Sequence, residues 1–458
     1  MAIRSINPTT EEILETFEEP AAAAVERALR AAQTAFAAWS RTPLAERAAP
    51  MRRVARLLRQ EKGEHARRMA LEMGKPVAQG EAEAEKCASA CEFYAGEAGR
   101  FLAPEPVETD AARSYVRFDP LGPVLAVMPW NFPYWQVFRA AAPALMAGNV
   151  LLLKHASNVP RCALEIHDLF ARAGFPAGVF QTLLVSAQSA TRLIEHEAVR
   201  AVTLTGSEPA GRAVAAAAGR CLKKTVLELG GSDPFVVLDD VDVEAVAAQA
   251  ASARTVNSGQ SCIAAKRFIV QAGVADRFAE AFRAALDALV VGDPLERATQ
   301  VGPLARADLL DDLADQVRRA VAAGAKLLLG GARLERRGFF YPPTLLAEVD
   351  PASPAMTEET FGPVAALARV GSEDEAVALA NRSRYGLGAS LWSGDPARAE
   401  RLVPRIEAGC VAVNGIVKSD PRLPFGGVKD SGYGRELAAF GIREFVNVKA
   451  VWVGGPAR

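Results

Sequence analysis

The feature that most constrains the fold is a regular alternation that begins near Gly122. Short apolar runs are separated by segments of helical length, and the runs are Val124–Met128, Val150–Leu153, Phe180–Val185, Ala201–Leu204 and Thr225–Leu229. Such alternation indicates repeated βαβ units and a parallel sheet with helices on both faces. A second series of runs lies at 235–238, 267–270, 326–329, 362–370, 389–392 and 410–414. The sequence therefore predicts two α/β domains joined near residues 228–233, after a helical region over residues 20 to about 100.

The composition limits what the protein can bind. The chain has 458 residues, half of them hydrophobic, and a net charge of −1. This balance gives no long-range attraction to nucleic acid or to an anionic membrane, so we expect neither as a partner. The six cysteines and four histidines are scattered, without metal-ligand spacing, and the N-terminus does not resemble a signal peptide. We expect no metal, no structural disulfide and a cytoplasmic location.

Polar motifs follow the predicted strands of the first series. Trp130-Asn131 follows the first strand, Lys154 and Ser157 follow the second, and Gly206-Ser207 follows the fourth. Parallel sheets bind ligands beyond the carboxyl ends of their strands. The Rossmann fingerprint is absent, and its nearest substitute is the segment 206–211, which opens a predicted helix whose N–H groups suit a phosphate. For Lys154 alone, a solvated lysine at the end of a strand is the plainer interpretation.

Three residues suit acyl chemistry. Cys262 follows a helix predicted over Val243–Val256 with Asp242 as its cap, and its small neighbours leave room for a substrate carbon. Glu228 ends an apolar strand, where a desolvated carboxylate has a raised pKa and can act as a general base. Asn131 could donate its amide to an oxyanion. Each has a structural alternative: a core cysteine, a salt-bridged glutamate and a turn asparagine.

Five motifs occurring in order give these residues a common context. They are Pro129–Pro133, Leu227–Pro234, Gly259–Cys262, Glu358–Pro363 and Pro424–Lys429. Together they closely resemble the aldehyde dehydrogenase superfamily, and the resemblance runs from Asn7 to about Val453. Within the superfamily the chain is most similar to bacterial NAD(P)-dependent succinate-semialdehyde dehydrogenases.

The resemblance implies a role for each candidate. Cys262 would add to the aldehyde as the nucleophile, and Asn131 with the backbone N–H of Cys262 would hold the oxyanion. Hydride transfer to the nicotinamide would leave a thioester, which Glu228 would hydrolyse by activating water. The cofactor, NADP or NAD, would contact Trp130, Lys154, Ser157, Gly206, Ser207, Leu229, Glu359 and Phe361. A glutamate that favours NAD in some relatives is replaced here by Ser157, so we expect NADP to be accepted.

The substrate is the least constrained prediction. The resemblance implies that Arg139 binds the carboxylate of succinate semialdehyde, and the alternative is a surface arginine on the helix after Pro133. A second arginine of some relatives is Val256 here, so Ser419 or Lys418 would compensate. Rival functions are the same chemistry on another semialdehyde or on a neutral aldehyde, transfer of the acyl group to coenzyme A, and a non-catalytic protein that keeps the fold.

The resemblance also implies an architecture. It consists of a Rossmann-like cofactor domain (1–104 and 120–228), an α/β catalytic domain (229–430), and a small oligomerisation element (105–119 and 440–458). The last of these would complete the sheet of a neighbour, which implies a homodimer or homotetramer.

Overall fold

Helices surround two large sheets in the computed structural model, which describes residues 2–455. The helices are α1 (Ala22–Trp39), α2 (Leu44–Gln60), α3 (Lys62–Met73), α4 (Val77–Phe101), α5 (Trp135–Ala147), α6 (Pro160–Arg172), α7 (Ala187–Glu195), α8 (Glu208–Arg220), α9 (Val243–Thr255), α10 (Ala272–Asp287), α11 (Ala307–Ala322), α12 (Pro354–Thr357), α13 (Glu373–Asn381), α14 (Pro396–Glu400) and α15 (Ala438–Glu444).

The strands are β1 (Ala2–Ile6), β2 (Ile13–Glu18), β3 (Glu105–Pro106), β4 (Arg113–Pro120), β5 (Pro123–Met128), β6 (Val150–His155), β7 (Phe180–Thr182), β8 (Ala201–Thr205), β9 (Lys224–Glu228), β10 (Asp233–Val237), β11 (Ala265–Gln271), β12 (Lys326–Leu329), β13 (Thr344–Ala347), β14 (Val364–Val370), β15 (Tyr385–Gly386), β16 (Gly388–Trp392), β17 (Cys410–Val413), β18 (Val428–Lys429), β19 (Gly432–Tyr433) and β20 (Val446–Val453). The α/β class and both predicted strand series are confirmed.

The first sheet has the strand order β19-β9-β8-β5-β6-β7 and is parallel except for β19. From β5 the chain proceeds outward through β6 and β7, and it then returns to the other side of β5 as β8 and β9. The strand order therefore reverses between β5 and β8. In doubly wound sheets this reversal opens a crevice at the carboxyl ends of the strands, where ligands bind. The two motifs beside the crevice are Trp130-Asn131 and Gly206-Ser207.

The second sheet has the order β12-β13-β14-β11-β10-β16-β17, with β12 antiparallel to β13. Cys262 lies three residues before β11, and Phe361 lies three residues before β14. These two residues therefore lie at the amino edge of the second sheet. Since the chain passes directly from β9 to β10, this edge faces the carboxyl edge of the first sheet, and the candidate site lies between the two edges.

The predicted helices are largely present. The run Leu44–Met73 is divided at Glu61 into α2 and α3. α9 begins at Val243, as predicted, and the side chain of Asp242 caps it by accepting a hydrogen bond from the N–H of Ala245 at 3.1 Å. The apolar face of α9 packs on the second sheet and so fixes the direction in which the chain reaches Cys262.

A separate antiparallel sheet of order β20-β4-β3 contains the hairpin predicted over residues 105–119 and the C-terminal strand. Met1 and residues 456–458, which fall at the ends of the predicted cofactor domain and oligomerisation element, lie outside the described residues. Within residues 2–455, no helix is both long enough and apolar enough to span a bilayer.

Candidate active site

A cleft of about 330 Å³ lies between the facing edges of the two sheets. Eight residues singled out in the sequence line it together: Trp130, Asn131, Gly206, Ser207, Leu229, Cys262, Glu359 and Phe361. They come from five separate stretches of the chain, so only the fold brings them together. Sequence reasoning missed two further lining residues, Arg306 and Leu309, because they belong to none of the five motifs.

A left-handed turn presents Cys262 to the cleft. After α9 ends, Asn257 and Ser258 have φ values of 53° and 56°, and Gly259 has a φ of +76°. Left-handed backbone costs a non-glycine residue about 1–2 kcal/mol, so neighbouring contacts must hold the turn. The side chain of Asn257 holds it by donating to the backbone oxygens of Asn131 at 2.7 Å and of Gln260 at 3.0 Å. The turn that leads to Cys262 and the Asn131 segment are therefore fixed to each other.

Two N–H donors are available beside the thiol. The side-chain amide of Asn131 donates to the backbone oxygen of Gln260 at 3.1 Å, which uses one of its two hydrogens. The backbone N–H of Cys262 donates to no acceptor within residues 2–455. A cleft-lining thiol next to two N–H groups is the arrangement that stabilises an oxyanion formed by attack on a carbonyl.

The thiol of Cys262 is protonated in the protein alone. Burial raises its pKa to about 12, against the opposing effect of the positive charges of Arg139 and Lys266. Lys266 donates to the backbone oxygens of Ser261 and Cys262, each at 2.9 Å. To act as a nucleophile, this thiol would need a proton acceptor or additional positive charge beside it.

Glu228 is a buried carboxyl group without a hydrogen-bond partner. It ends β9 directly before the cleft residue Leu229, and neither side-chain oxygen has a partner among the described residues. Burial raises the pKa of Glu228 well above its ordinary range, and the nearby carboxylate of Glu436 raises it further. A carboxyl group in this setting is ready to exchange a proton with water.

Arg139 is not a free guanidinium. It is buried on α5, forms an ion pair with Glu436, donates to the hydroxyl of Thr205 at 3.1 Å and stacks on the ring of Phe425. The surface arginine considered as an alternative is therefore wrong. The position also argues against the prediction that Arg139 supplies an unpaired charge for a substrate carboxylate, because Glu436 already neutralises it. Arg139 and Glu436 are far apart in sequence, so no local pattern could reveal the pair.

The far side of the cleft carries Glu359 and Phe361. The carboxylate of Glu359 accepts a hydrogen bond from the N–H of Gly231 at 3.0 Å and lies 3.6 Å from the ammonium of Lys266. The ring of Phe361 meets Trp130 edge-on, with centroids 5.7 Å apart. Gly231 is required here because a Cβ atom would lie 2.6 Å from the backbone oxygen of Cys262. These contacts fix a carboxylate and two aromatic rings opposite the thiol.

Three other predicted residues suit the binding of a dinucleotide. Lys154 is the last residue but one of β6, and burial lowers the pKa of its ammonium group. Ser157 is exposed just beyond it. Ser207 precedes α8 without capping it through its side chain, so the N–H groups of the first helical turn remain available to an anion. Neither Lys154 nor Ser157 lines the cleft next to Cys262 itself.

Ser419 lies in a different group of residues. Its buried hydroxyl accepts hydrogen bonds from the ammonium of Lys86 at 2.7 Å and from the indole N–H of Trp135 at 3.0 Å. Lys418 is exposed. Sequence reasoning missed Lys86 because a lysine in an alanine-rich helix is typical of a solvated surface. The only feature of the sequence that could have pointed to Lys86 was its position one helical turn from Glu83.

The remaining cysteines and histidines form no second site. Cys87 and Cys91 are buried in α4, and burial raises the pKa of both thiols, as expected of cysteines that fill a core. Within residues 2–455, no three histidine, cysteine, aspartate or glutamate residues are grouped to hold a metal ion.

Known proteins resemble the chain over nearly its whole length. The family model described as the aldehyde dehydrogenase family matches residues 1–451. A probable NADP-dependent succinate-semialdehyde dehydrogenase from Synechocystis is 53% identical over 99% of this chain and all of its own length. NADP-dependent succinate-semialdehyde dehydrogenase 1 from Mycobacterium tuberculosis is 51% identical, with the same coverage.

A solved structure agrees with these relatives. Succinic semialdehyde dehydrogenase from Streptococcus pyogenes, in complex with NADP, superposes with a TM-score of 0.97, at 38% identity over 99% of this chain and all of that one. The predicted resemblance is confirmed by the sequence match and the shared fold. The chain belongs to the aldehyde dehydrogenase family.

Proposed function

We propose that the protein oxidises succinate semialdehyde to succinate, with NADP as the hydride acceptor and water as the acyl acceptor. The observation that carries this proposal is the convergence of Cys262, Asn131 and Glu359 on one cleft. The two enzymes from Synechocystis and Mycobacterium tuberculosis are named for this substrate and cofactor, and they match the chain from end to end.

The first half of the reaction uses the thiol and its neighbouring donors. The sulfur of Cys262 adds to the aldehyde carbon and loses its proton, which gives a thiohemiacetal whose oxyanion accepts from Asn131 and from the N–H of Cys262. NADP, held by the cleft residues, would supply the hydride acceptor for this carbon, and a thioester on Cys262 would remain. The enzyme's contribution is to hold the carbon between sulfur, donors and nicotinamide.

The second half requires a base. Glu228, once ionised, takes a proton from a water molecule that attacks the thioester, and the thiolate of Cys262 leaves as the acid forms. The sum is aldehyde, water and NADP⁺ giving carboxylate, NADPH and two protons. The partnerless, buried carboxyl group of Glu228 favours water over coenzyme A as acceptor, and an assay for free acid against acyl-CoA separates the two.

The cofactor residues fit a dinucleotide. The open N-terminus of α8 suits the pyrophosphate, Glu359 suits the nicotinamide ribose, and Phe361 is placed to contact the nicotinamide. Lys154 and Ser157 would hold the adenosine ribose and its 2′-phosphate. An exposed neutral hydroxyl at Ser157 next to an ammonium group accommodates the extra phosphate of NADP without repulsion.

Replacing Ser157 by glutamate should reverse this preference. The added carboxylate repels the 2′-phosphate and can accept hydrogen bonds from the ribose hydroxyls of NAD, so kcat/KM with NADP should fall about tenfold or more while that with NAD is kept. Steady-state kinetics with both cofactors measures the ratio. Ser157→Gln, of similar size but neutral, is the matched control and should keep the preference for NADP. An unchanged ratio in Ser157→Glu would place the 2′-phosphate elsewhere.

The substrate is tested with an aldehyde panel. Malonate, succinate and glutarate semialdehydes should be compared with butanal at saturating NADP, and we expect the highest kcat/KM for succinate semialdehyde. The pairing of Arg139 with Glu436 favours one second candidate, the same oxidation of a neutral aldehyde. Faster turnover of butanal than of all three semialdehydes would establish that candidate instead.

We also propose that residues 1–104 and 120–228 form the cofactor domain and residues 229–430 the catalytic domain, and that the β20-β4-β3 sheet joins copies of the chain into a dimer or tetramer. The support for an interface is the apolar side chains that this sheet exposes, among them Val448, Trp452 and Val453. We expect the assembly to act in the cytoplasm, and sedimentation of the purified chain measures its size.

A further inference from the structure

A second cavity, of about 480 Å³, lies on the other side of the Asn131 segment from the cofactor cleft. Consecutive stretches of one segment line the two cavities: Trp130 and Asn131 face the cleft, and Phe132 and Trp135 face the second cavity. The opposite wall contains Val256, which directly precedes the turn that carries Cys262 on to the cleft. Cys262 lines the cleft and not the second cavity, so a substrate in the second cavity would reach the thiol by passing between these two segments.

Lys86 is the charged group of this cavity that lacks a countercharge. The lining carboxylate of Glu83 forms an ion pair with Lys75 and accepts from the N–H groups of Tyr134 and Trp135 at 2.9 Å, so it is fully engaged. The lining guanidinium of Arg297 is paired with Glu81. Lys86 forms no ion pair anywhere in residues 2–455.

Neutral groups position the ammonium of Lys86 instead. It donates to the hydroxyl of Ser419 at 2.7 Å and lies 4.2 Å from the ring centroid of Trp135. Ser419 also accepts from the indole N–H of Trp135 at 3.0 Å. A half-buried ammonium has three N–H donors, so this site orients Lys86 and leaves donors free for an anion.

We infer that Lys86 binds the carboxylate of the substrate, with Ser419 and Trp135 positioning its ammonium group, and that it replaces Arg139 as the charge that selects carboxylated aldehydes. This inference rests on the proposed oxidation of a semialdehyde and adds a residue to it. Arg139 then has a different part. It lines neither cavity and is paired with Glu436, and its positive charge lowers the pKa of both Cys262 and Lys86.

The ionisation of Lys86 gives the inference a pH signature. Burial, with a smaller contribution from the positive charge of Arg139, lowers its pKa to about 8. The other groups facing it are Glu83 and Cys87 on α4 and Asp420 in the loop after β17. The pKa of Cys87 is raised well above its ordinary value and that of Asp420 is lowered to about 2, so neither titrates near pH 8. Since only the cation attracts a carboxylate, KM for the semialdehyde should rise as pH increases above about 8, and KM for butanal should not.

Lys86→Met tests the assignment, because methionine keeps the length of the side chain and removes the charge. We expect kcat/KM for succinate semialdehyde to fall about 10- to 100-fold, mainly through KM, and kcat/KM for butanal to change less than about twofold. Succinate, used as a competitive inhibitor, should weaken by a similar factor. Lys86→Arg should restore most of the loss. Lys326→Met removes an exposed charge from β12, outside both cavities, and is the matched control, which should leave all three values unchanged.

The possible outcomes separate this inference from the proposed function. An equal loss on both aldehydes, or no loss on either, would overturn the role of Lys86 even if the wild type prefers succinate semialdehyde. A wild type that prefers malonate or glutarate semialdehyde, with the preference lost in Lys86→Met, would overturn the proposed substrate and support Lys86. A wild type that prefers butanal and binds no succinate would overturn both.

Discussion

Replacing Cys262 by alanine should lower turnover at least about 10⁴-fold, because the reaction then has no thiol to carry the acyl group. Binding of NADP, followed by the quenching of tryptophan fluorescence, should persist, since the sulfur is only one part of the wall of the cleft. NADPH formation from succinate semialdehyde at saturating cofactor measures the loss. The contribution of Cys262 to the rate comes from its position beside two N–H donors. It does not come from an already ionised thiol, because the thiol of Cys262 is protonated at neutral pH.

Cys221→Ala is the matched control for that variant. Cys221 is also a partly exposed free cysteine, but it lies at the end of α8 and outside the cleft. It should keep full activity. If Cys262→Ala retained more than about 1% of the wild-type rate, or if both variants lost activity equally, the thioester route would be wrong.

Glu228→Gln should separate the two halves of the reaction. Without a base, hydrolysis of the thioester should slow by about 10²- to 10⁴-fold, while thiol addition and hydride transfer still occur once. Rapid mixing should therefore show a burst of NADPH close to the enzyme concentration, followed by very slow turnover. Mass spectrometry of the quenched enzyme should find the acyl group on Cys262. Glu400→Gln, at an exposed position, is the control and should turn over normally.

The turnover and the thermal stability of Glu228→Gln should differ from those of the wild type in a direction that depends on pH. The pKa of Glu228 is raised in the folded protein, so the folded state binds a proton more tightly than the unfolded state does. Wild-type turnover should rise with pH as Glu228 ionises, and that rise should be absent in Glu228→Gln. The free-energy cost of burying Glu228 also grows as the pH rises above the pKa that this group has in the unfolded state. The Glu228→Gln variant should therefore melt at a higher temperature than the wild type at pH 8, and both should melt at the same temperature at pH 4. A burst-free Glu228→Gln enzyme would instead give Glu228 a part in thiol addition.

Much of the fold follows from local sequence signals. Apolar runs of strand length located the strands β5, β6, β8 and β9, and Asp242 located the start of α9 to the residue. These signals act over a few residues, which is the range in which periodicity and capping operate. The motifs at the strand ends located the cleft for the same reason, since the carboxyl ends of parallel strands meet at one edge.

The features that could not be predicted from the sequence depend on contacts between residues that are far apart along the chain. β13 was not predicted because Thr344–Ala347 is a strand only through its pairing with β12 and β14. Arg139 could be placed on α5, but its neutralisation by Glu436 depends on a residue 297 positions away. Lys86 was overlooked for a related reason: its half-buried state arises from Trp135 and Ser419, which lie 49 and 333 residues further along the chain.

The return of the chain to the first sheet has a consequence for cofactor exchange. After β17, the chain returns to the first sheet and places β19 against β9. Ser431, just before β19, connects this returning segment to the segment that leaves β9. Its backbone oxygen accepts from the N–H of Leu229, and its hydroxyl donates to the oxygen of Gly230 at 2.7 Å and accepts from the N–H of Gly386 at 3.0 Å. A hinge motion about residues 229–232 would break all three hydrogen bonds and strip β19 from the sheet. We therefore expect NADPH to leave by rearrangement of side chains at the mouth of the cleft, with the two large sheets keeping their relative position.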